Sequence, residues 1–306
     1  MKPLLGISLK LASTIAFTVM QALVKSVADT FPTGEIVFFR SFFALVPLLI
    51  WLAWEGELPH GVLTRNIWAH VRRSLLSTCG LFSGFFALSY LAIADATAIG
   101  YITPLLTTLL AVLILKEKVR FYRWGALALG FVGMIVMLAP YFGVGRLAGN
   151  GQALGAGVAV AAACFSAFAT LEVRRLAQFE RVGAIVFYFS TIAALAGLAT
   201  CFFHWVTPTP REALILIAAG IMGGFGQTFL TSSYRHAPIS LIAPFDYTTL
   251  IWALLVGYFI FGQVPQALVL VGAALVIVAG LIVIWRESVL GIQARKEREA
   301  GLHRIG

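Results

Sequence analysis

The chain has 306 residues, of which 60% are hydrophobic and only 11% charged, against about 25% charged in an ordinary soluble domain. That excess of apolar surface excludes a soluble enzyme, a disordered regulator and a small disulfide scaffold; it predicts a polytopic α-helical membrane protein. The net charge of +9 does not point to nucleic acid, because the basic residues fall in short tracts between apolar runs.

A helix needs roughly 20 apolar residues to cross the hydrocarbon core. Ten stretches qualify in chain order: Gly6–Ala28, Thr33–Trp54, Ser74–Ala94, Thr97–Leu115, Trp124–Phe142, Gln152–Leu171, Gly183–Trp205, Ala213–Ser233, Ile239–Phe261 and Ala267–Trp285. The first ends in Ser26-Val27-Ala28, a spacing that suits signal cleavage. The run is as long as a span, however, and Lys25 interrupts its end, so a retained first helix is expected. The loops are too short for a soluble domain. Cys79, Cys164 and Cys201 all lie inside apolar runs without paired spacing, so they read as small packing residues, not as a disulfide framework or metal site.

Orientation follows from Lys and Arg. With the N-terminus inside, the inner side takes all but four of the 22 basic residues; Arg146 and Arg211 fall outside, and Lys25 and Arg40 within spans. Such a bias over short loops predicts that both termini are cytoplasmic. The basic tail after Trp285 reads as a topology anchor touching anionic lipid.

The chain also repeats itself. Gly34-Glu35-Ile36-Val37-Phe38-Phe39-Arg40-Ser41 returns as Gly183-Ala184-Ile185-Val186-Phe187-Tyr188-Phe189-Ser190. Trp124-Gly125-Ala126 with Gly133-Met134-Ile135-Val136 matches Val271-Gly272-Ala273 with Gly280-Leu281-Ile282-Val283, and Ala94-Asp95-Ala96-Thr97-Ala98-Ile99 resembles Ala237-Pro238-Ile239-Ser240-Leu241-Ile242. The order is constant and the offset nearly so. The expected division is a first five-helix repeat over 1–146, a second over 147–285, and a basic cytoplasmic tail over 286–306. Five spans per half is an odd number, so the second half enters the membrane from the opposite side. Inverted repeats of this kind are a recurring design of secondary transporters, with the substrate near the midplane.

The ten-span layout, Pro104 followed by Leu115-Lys116-Glu117-Lys118, the Gly125…Gly133 helix, Ala237 to Tyr247 and Gly257 to Gly262 together resemble the drug/metabolite transporter superfamily, specifically its EamA-type members. The resemblance covers nearly the whole chain and departs at Gln263, where the family usually has glutamate; little consequence is expected at a span end. It implies an inner-membrane exporter of amino acids, aromatic ones included, or related small metabolites. Relatives that take up S-adenosylmethionine keep uptake of a nucleoside-type metabolite open as the alternative.

Polar groups in the bilayer core are functional candidates by default. Asp246 lies about eight residues, roughly 12 Å, into the ninth span. It suits a proton-coupling group or a contact for a substrate ammonium, and equally a packing carboxylate. Arg40, roughly 10 Å deep in the second span, suits a two-pronged contact to a substrate carboxylate, or it snorkels outward or pairs with Glu35. Gln21 and Gln227 both donate and accept hydrogen bonds, which fits a zwitterion as well as helix–helix packing. Lys10, Lys25 and Arg174 read as snorkelling rim residues. The rings Phe17, Tyr101, Phe165, Phe168, Tyr247 and Trp252 lie near polar groups of both halves and would wall a cavity for apolar or aromatic side chains. Gly80-x-x-x-Gly84-Phe85 and Gly220-x-x-x-Gly224-Phe225 permit close helix approach, and Pro104 and Pro244 loosen or kink their spans. No spacing supports enzymatic chemistry, a metal or a cofactor. The expected partners are a small-molecule substrate and the bilayer.

Overall fold

The computed structural model describes residues 3–64, 66–115, 121–142, 151–176, 180–203, 205–237 and 242–302. Among these residues every regular element is helical. The α-helices are α1 (Pro3–Val27), α2 (Thr33–Trp54), α3 (Ile67–Tyr90), α4 (Ile93–Gly100), α5 (Ile102–Leu115), α6 (Phe121–Phe142), α7 (Gln152–Leu176), α8 (Val182–Leu198), α9 (Pro210–His236), α10 (Thr248–Phe261) and α11 (Ala267–Leu302). Short 3₁₀ turns cover His60–Val62, Ala199–Phe202 and Ala243–Tyr247. Six of the described helices are long and apolar enough to cross a membrane: α1, α2, α6, α7, α8 with its following turn, and α9.

Local chemistry sets the helix ends. Thr209 and Glu212 form a reciprocal capping box around Pro210 at the start of α9, which satisfies donors that a new helix leaves open. Asn66 caps α3 by accepting from the Ala69 N–H at 3.1 Å. Gly262 ends α10 in the left-handed conformation, φ +62°, where a side chain would be strained.

Two expected spans are not continuous. The fourth begins early as α4, breaks at Tyr101 and resumes as α5. Pro104 explains the break: its ring clashes with the carbonyl four residues back, that of Gly100, the last residue of α4. The ninth starts as the 3₁₀ turn Ala243–Tyr247, with Pro244 near its beginning, and becomes α-helical only at Thr248. The third helix starts at Ile67, not at Ser74, which draws His70, Arg72 and Arg73 into it. The last runs on to Leu302. Lys116-Glu117-Lys118, Ile239-Ser240-Leu241 and the outer-loop glycines 143–149 lie outside the described residues.

The two halves of the chain interlock. α1 packs on α9 and α3 on α7; α2 lies against α8 and α9, α3 also meets α8, α6 pairs with α11, and α4 meets α10. Glycines mark the crossings. A Cβ on Gly133 would stand 2.8 Å from the Gly272 carbonyl oxygen, and one on Gly272 2.5 Å from that of Gly133, so the α6 and α11 backbones touch. Gly220 and Gly224 bring α9 onto the α2 backbone, and Gly80 brings α3 onto the Ala162 carbonyl of α7. The small-residue steps therefore join one half to the other, while Gly84 faces open space.

Apolar side chains dominate the outside: Trp54 is 89%, Phe202 86% and Trp68 79% exposed, all near helix ends, as in an aromatic belt. Cys79 and Cys201 are exposed and Cys164 is half-buried, so two of the three do not fill the interior as expected. Overpacking a tight helix contact costs about 1–3 kcal/mol, or several degrees of melting temperature in a chain this size. Gly272→Val is expected to lower the melting temperature in detergent by about that amount, with Gly84→Ala unchanged beside it. An unchanged melt for Gly272→Val would show that α6 and α11 do not touch there.

Candidate functional site

The two broken spans meet each other. The Tyr101 hydroxyl, at the break between α4 and α5, donates to the carbonyls of Asp246 and Tyr247 at 3.3 and 3.2 Å and accepts from the Leu250 N–H at 2.9 Å. Its ring stands edge-on to that of Tyr247, centroids 5.2 Å apart. One phenol thus serves backbone groups that the unwound turn leaves open, as irregular backbone at membrane depth requires. On the far side, the Tyr247 hydroxyl seats on Gly280 of α11, where a Cβ would collide with it.

Helix α1 brings the polar groups. Lys10, Thr14, Phe17 and Gln21 recur at intervals of four, three and four residues, so they share one face. Lys10 Nζ pairs with Asp246 Oδ1 at 2.5 Å. Thr14 Oγ1 lies 3.2 Å from Thr248 Oγ1 and accepts from the Trp252 indole N–H at 3.2 Å. Phe17 packs on Gly226 of α9, beside the half-buried Gln227. Gln21 Oε1 accepts from the Thr97 hydroxyl of α4 at 3.3 Å. The expectation for Lys10 is corrected here: it does not snorkel to a rim but is 1% exposed, its ammonium held by a carboxylate whose own side chain is 52% exposed.

Arg40 stands apart from this group. It is 3% exposed, neither snorkelling nor paired with Glu35, whose carboxylate accepts instead from the Val206 N–H at 3.0 Å. Its guanidinium carbon lies 5.5 Å from the centroid of Phe189, and that of Arg73 4.8 Å from the same ring. The first of these contacts joins a residue to its own repeat counterpart. Arg73, expected among the inner-loop charges, is drawn inside by the early start of α3. Two like charges within about 10 Å repel by on the order of 1–2 kcal/mol at an effective dielectric near 20. Phe165 packs against Gly80 of α3 and Phe168 is exposed; neither makes a ring contact with the Asp246 group.

Three polar contacts escaped the sequence reading. Asp95 of α4 is 6% exposed, with Oδ2 accepting from the Tyr141 phenol at 2.5 Å and Oδ1 unpartnered among the described residues; an acid within an apolar stretch is the signal that could have found it. Gln263 Oε1 accepts from the Ile93 N–H at 3.2 Å and so caps α4 from across the molecule. Its position past the span therefore has a structural consequence that was not expected. Lys25, half-buried, donates to the Leu88 carbonyl near the end of α3 at 2.5 Å.

The profile of the EamA-like transporter family matches twice, over residues 4–139 and 153–285. The chain belongs to that family. It is thus a membrane transporter of the drug/metabolite superfamily and not an enzyme. It is 28% identical over 283 residues to an S-adenosylmethionine uptake transporter of Rickettsia prowazekii, covering 92% of this chain and 93% of that one. It is equally 28% identical over 275 residues to the pseudopaline exporter CntI of Pseudomonas aeruginosa, covering 90% and 94%. A crystal structure with 20% identity shares the fold at a TM-score of 0.63 over 91% of this chain and 96% of the other.

The Lys10–Asp246 pair yields a double-mutant prediction. Asp246→Asn takes this carboxylate from a buried ammonium and lowers the melting temperature in detergent; adding Lys10→Met restores part of the loss. The expected coupling is about 1–3 kcal/mol, and simple additivity of the two losses would mean that the ion pair contributes nothing. Gln263→Ala removes a cap and costs about 1 kcal/mol, with Gln263→Glu retaining most of it by the same assay.

Proposed function

We propose that the chain is a secondary transporter of ten spans in two inverted five-helix repeats, residues 1–146 and 147–285, followed by the basic tail 286–306. On this reading it works by alternating access in a bacterial inner membrane with both termini cytoplasmic. It exports an amino acid, aromatic or otherwise apolar ones included, or a related small zwitterionic metabolite.

Two features support the repeat. The family profile matches each half separately, and the helix packing keeps its form when the halves are exchanged. Under that exchange α1 on α9 becomes α7 on α3, α2 on α9 becomes α8 on α3, and the α2–α8 and α6–α11 pairs map onto themselves. A scaffold of this kind has two related packings, which supply inward-open and outward-open states.

The observation that carries the site is the meeting of the two broken spans at Tyr101 and Asp246, with Lys10 as the local cation. A substrate ammonium competes with Lys10 for the same carboxylate, and a proton arriving at Asp246 frees Lys10 in the same way. Asp246 is therefore the proposed substrate and proton-coupling group. Tyr247, Trp252, Tyr101 and Phe17 form the adjoining wall, Gln21 and Gln227 its neutral polar contacts, Arg40 a carboxylate contact, and Phe165 and Phe168 the outlying aromatic positions. Export follows the family resemblance. The uptake relative supports a second reading, import of S-adenosylmethionine or another nucleoside-type metabolite.

Proteoliposomes loaded on one side with labelled amino acids or S-adenosylmethionine test these readings, wild type beside Asp246→Asn and Gln227→Ala. The expected outcome is amino-acid movement, reduced at least about tenfold in Asp246→Asn, equivalent to about 1.4 kcal/mol, with the variant still folded. Movement unaltered in both variants would remove the site and keep the transporter. Movement of S-adenosylmethionine alone would replace the amino-acid reading with the second one.

A further inference from the structure

Where α2 meets α3, α8 and α9 lies a second buried polar group, centred on two guanidinium groups that can only donate. Arg40 Nε and Nη1 have no hydrogen-bond partner among the described residues, and neither has Arg73 Nε. Arg73 Nη1 donates to the Ile185 carbonyl at 3.2 Å. The hydroxyls of Ser41, Ser74 and Thr78 are buried and unpartnered as well. On α3, His70, Arg73, Ser74 and Thr78 follow one another at helical spacing and share one broad face.

No carboxylate among the described residues lies within ion-pairing distance of either guanidinium. Glu35 is taken up by the Val206 N–H, and Glu180 by the Thr64 hydroxyl and by His70, 3.5 Å away. A guanidinium has five N–H donors and no acceptor, and it cannot shed its charge as a carboxyl can. Two of them in a membrane interior without an anion are far less stable than apolar side chains of the same size. A ligand that supplies acceptor oxygens gives these N–H groups a partner, and a carboxylate does so with the opposite charge.

We infer that Arg40 and Arg73 bind the carboxylate of the transported substrate through their unpartnered N–H groups, with Phe189 as the surface beneath. This rests on the transporter reading above. The place is separate from Asp246: Met20, which meets Arg40 Nε at Gly223, is ten residues beyond Lys10 on α1, about 15 Å along the axis. An α-amino acid, whose two charges are one carbon apart, touches one place at a time. A substrate that engages both carries its acid and its amine at opposite ends of an extended molecule.

Competition against labelled substrate in proteoliposomes tests the assignment, with probe pairs that differ in the carboxylate. The pairs are phenylalanine with phenylalaninamide, and S-adenosylmethionine with its decarboxylated form. The expected result in the wild type is that the carboxylate-free partner competes at least about tenfold more weakly, a difference of about 1.4 kcal/mol. In Arg40→Gln and Arg73→Gln the ratio falls below threefold. Should either variant fail to fold, Arg40→Lys and Arg73→Lys keep the charge and lose the fork. A lowered ratio in these supports the assignment, and an unchanged ratio in both overturns it. Equal competition by both partners while transport runs removes the carboxylate site and leaves the transporter standing. Inhibition by sodium sulfate as strong as by substrate, lost in the variants, makes this a site for an inorganic anion and overturns the substrate assignment. No transport of either probe takes down the reading beneath as well.

Discussion

Backbone amides and carbonyls in a bilayer have no water to turn to, and this constraint organises the molecule. Pro104 removes one N–H and displaces the carbonyl of Gly100, so the fourth span cannot run through. Pro244 lies in the corresponding span of the other half, three residues before the position aligned with Pro104, where the chain is 3₁₀ before it is α-helical. The turn at 243–247 exposes polar backbone that is answered from the opposite half, and so is the first N–H of α4. The Tyr101 phenol serves Asp246, Tyr247 and Leu250, and the Gln263 amide serves Ile93. The breaks are thus bound to each other, which fixes where the halves must meet.

Polar side chains follow from that meeting. At this junction Lys10 is buried beside Asp246, and Thr14 accepts from Trp252. Helix α1 supplies a single polar stripe that touches the ninth span at Lys10 and Thr14, α9 at Phe17, and α4 at Gln21. A rigid rotation of α1 therefore moves contacts to three elements together. Glycine lets this happen: Gly223 and Gly226 open α9 to Arg40, Met20 and Phe17 without intervening side chains.

How much of this could be read from the sequence depended on which physical rule was local. Helix α2 spans Thr33–Trp54 as expected, because its apolar run has clean polar breaks at both ends. The glycine steps were legible as close-approach sites, but not their partners, since spacing on one helix says nothing about the facing one. Lys10 and Arg73 were misread for a single reason. The positive-inside rule assigns a basic residue near a span end to the rim, and only tertiary packing reveals a carboxylate or an aromatic ring that draws it inward. The ring of Tyr101 suits a cavity wall, whereas its hydroxyl does the joining. Gln263 departs from the family pattern at a span end, and its contact lies 170 residues away in sequence.

The symmetric and the asymmetric parts of this fold divide the work. Helix pairings such as α6 with α11 map onto themselves under exchange of the proposed repeats, and such a frame has no intrinsic direction. Its relatives agree with that: one is an uptake transporter and another an exporter, at the same level of identity. The charges, by contrast, break the symmetry. Arg40 faces its own counterpart, Phe189, and Asp95 aligns with Pro238 in the other half. A buried charge is costly wherever the frame does not require it. An arginine at position 40 and a ring at the aligned position of the other half therefore call for a compensation that helix packing alone does not supply.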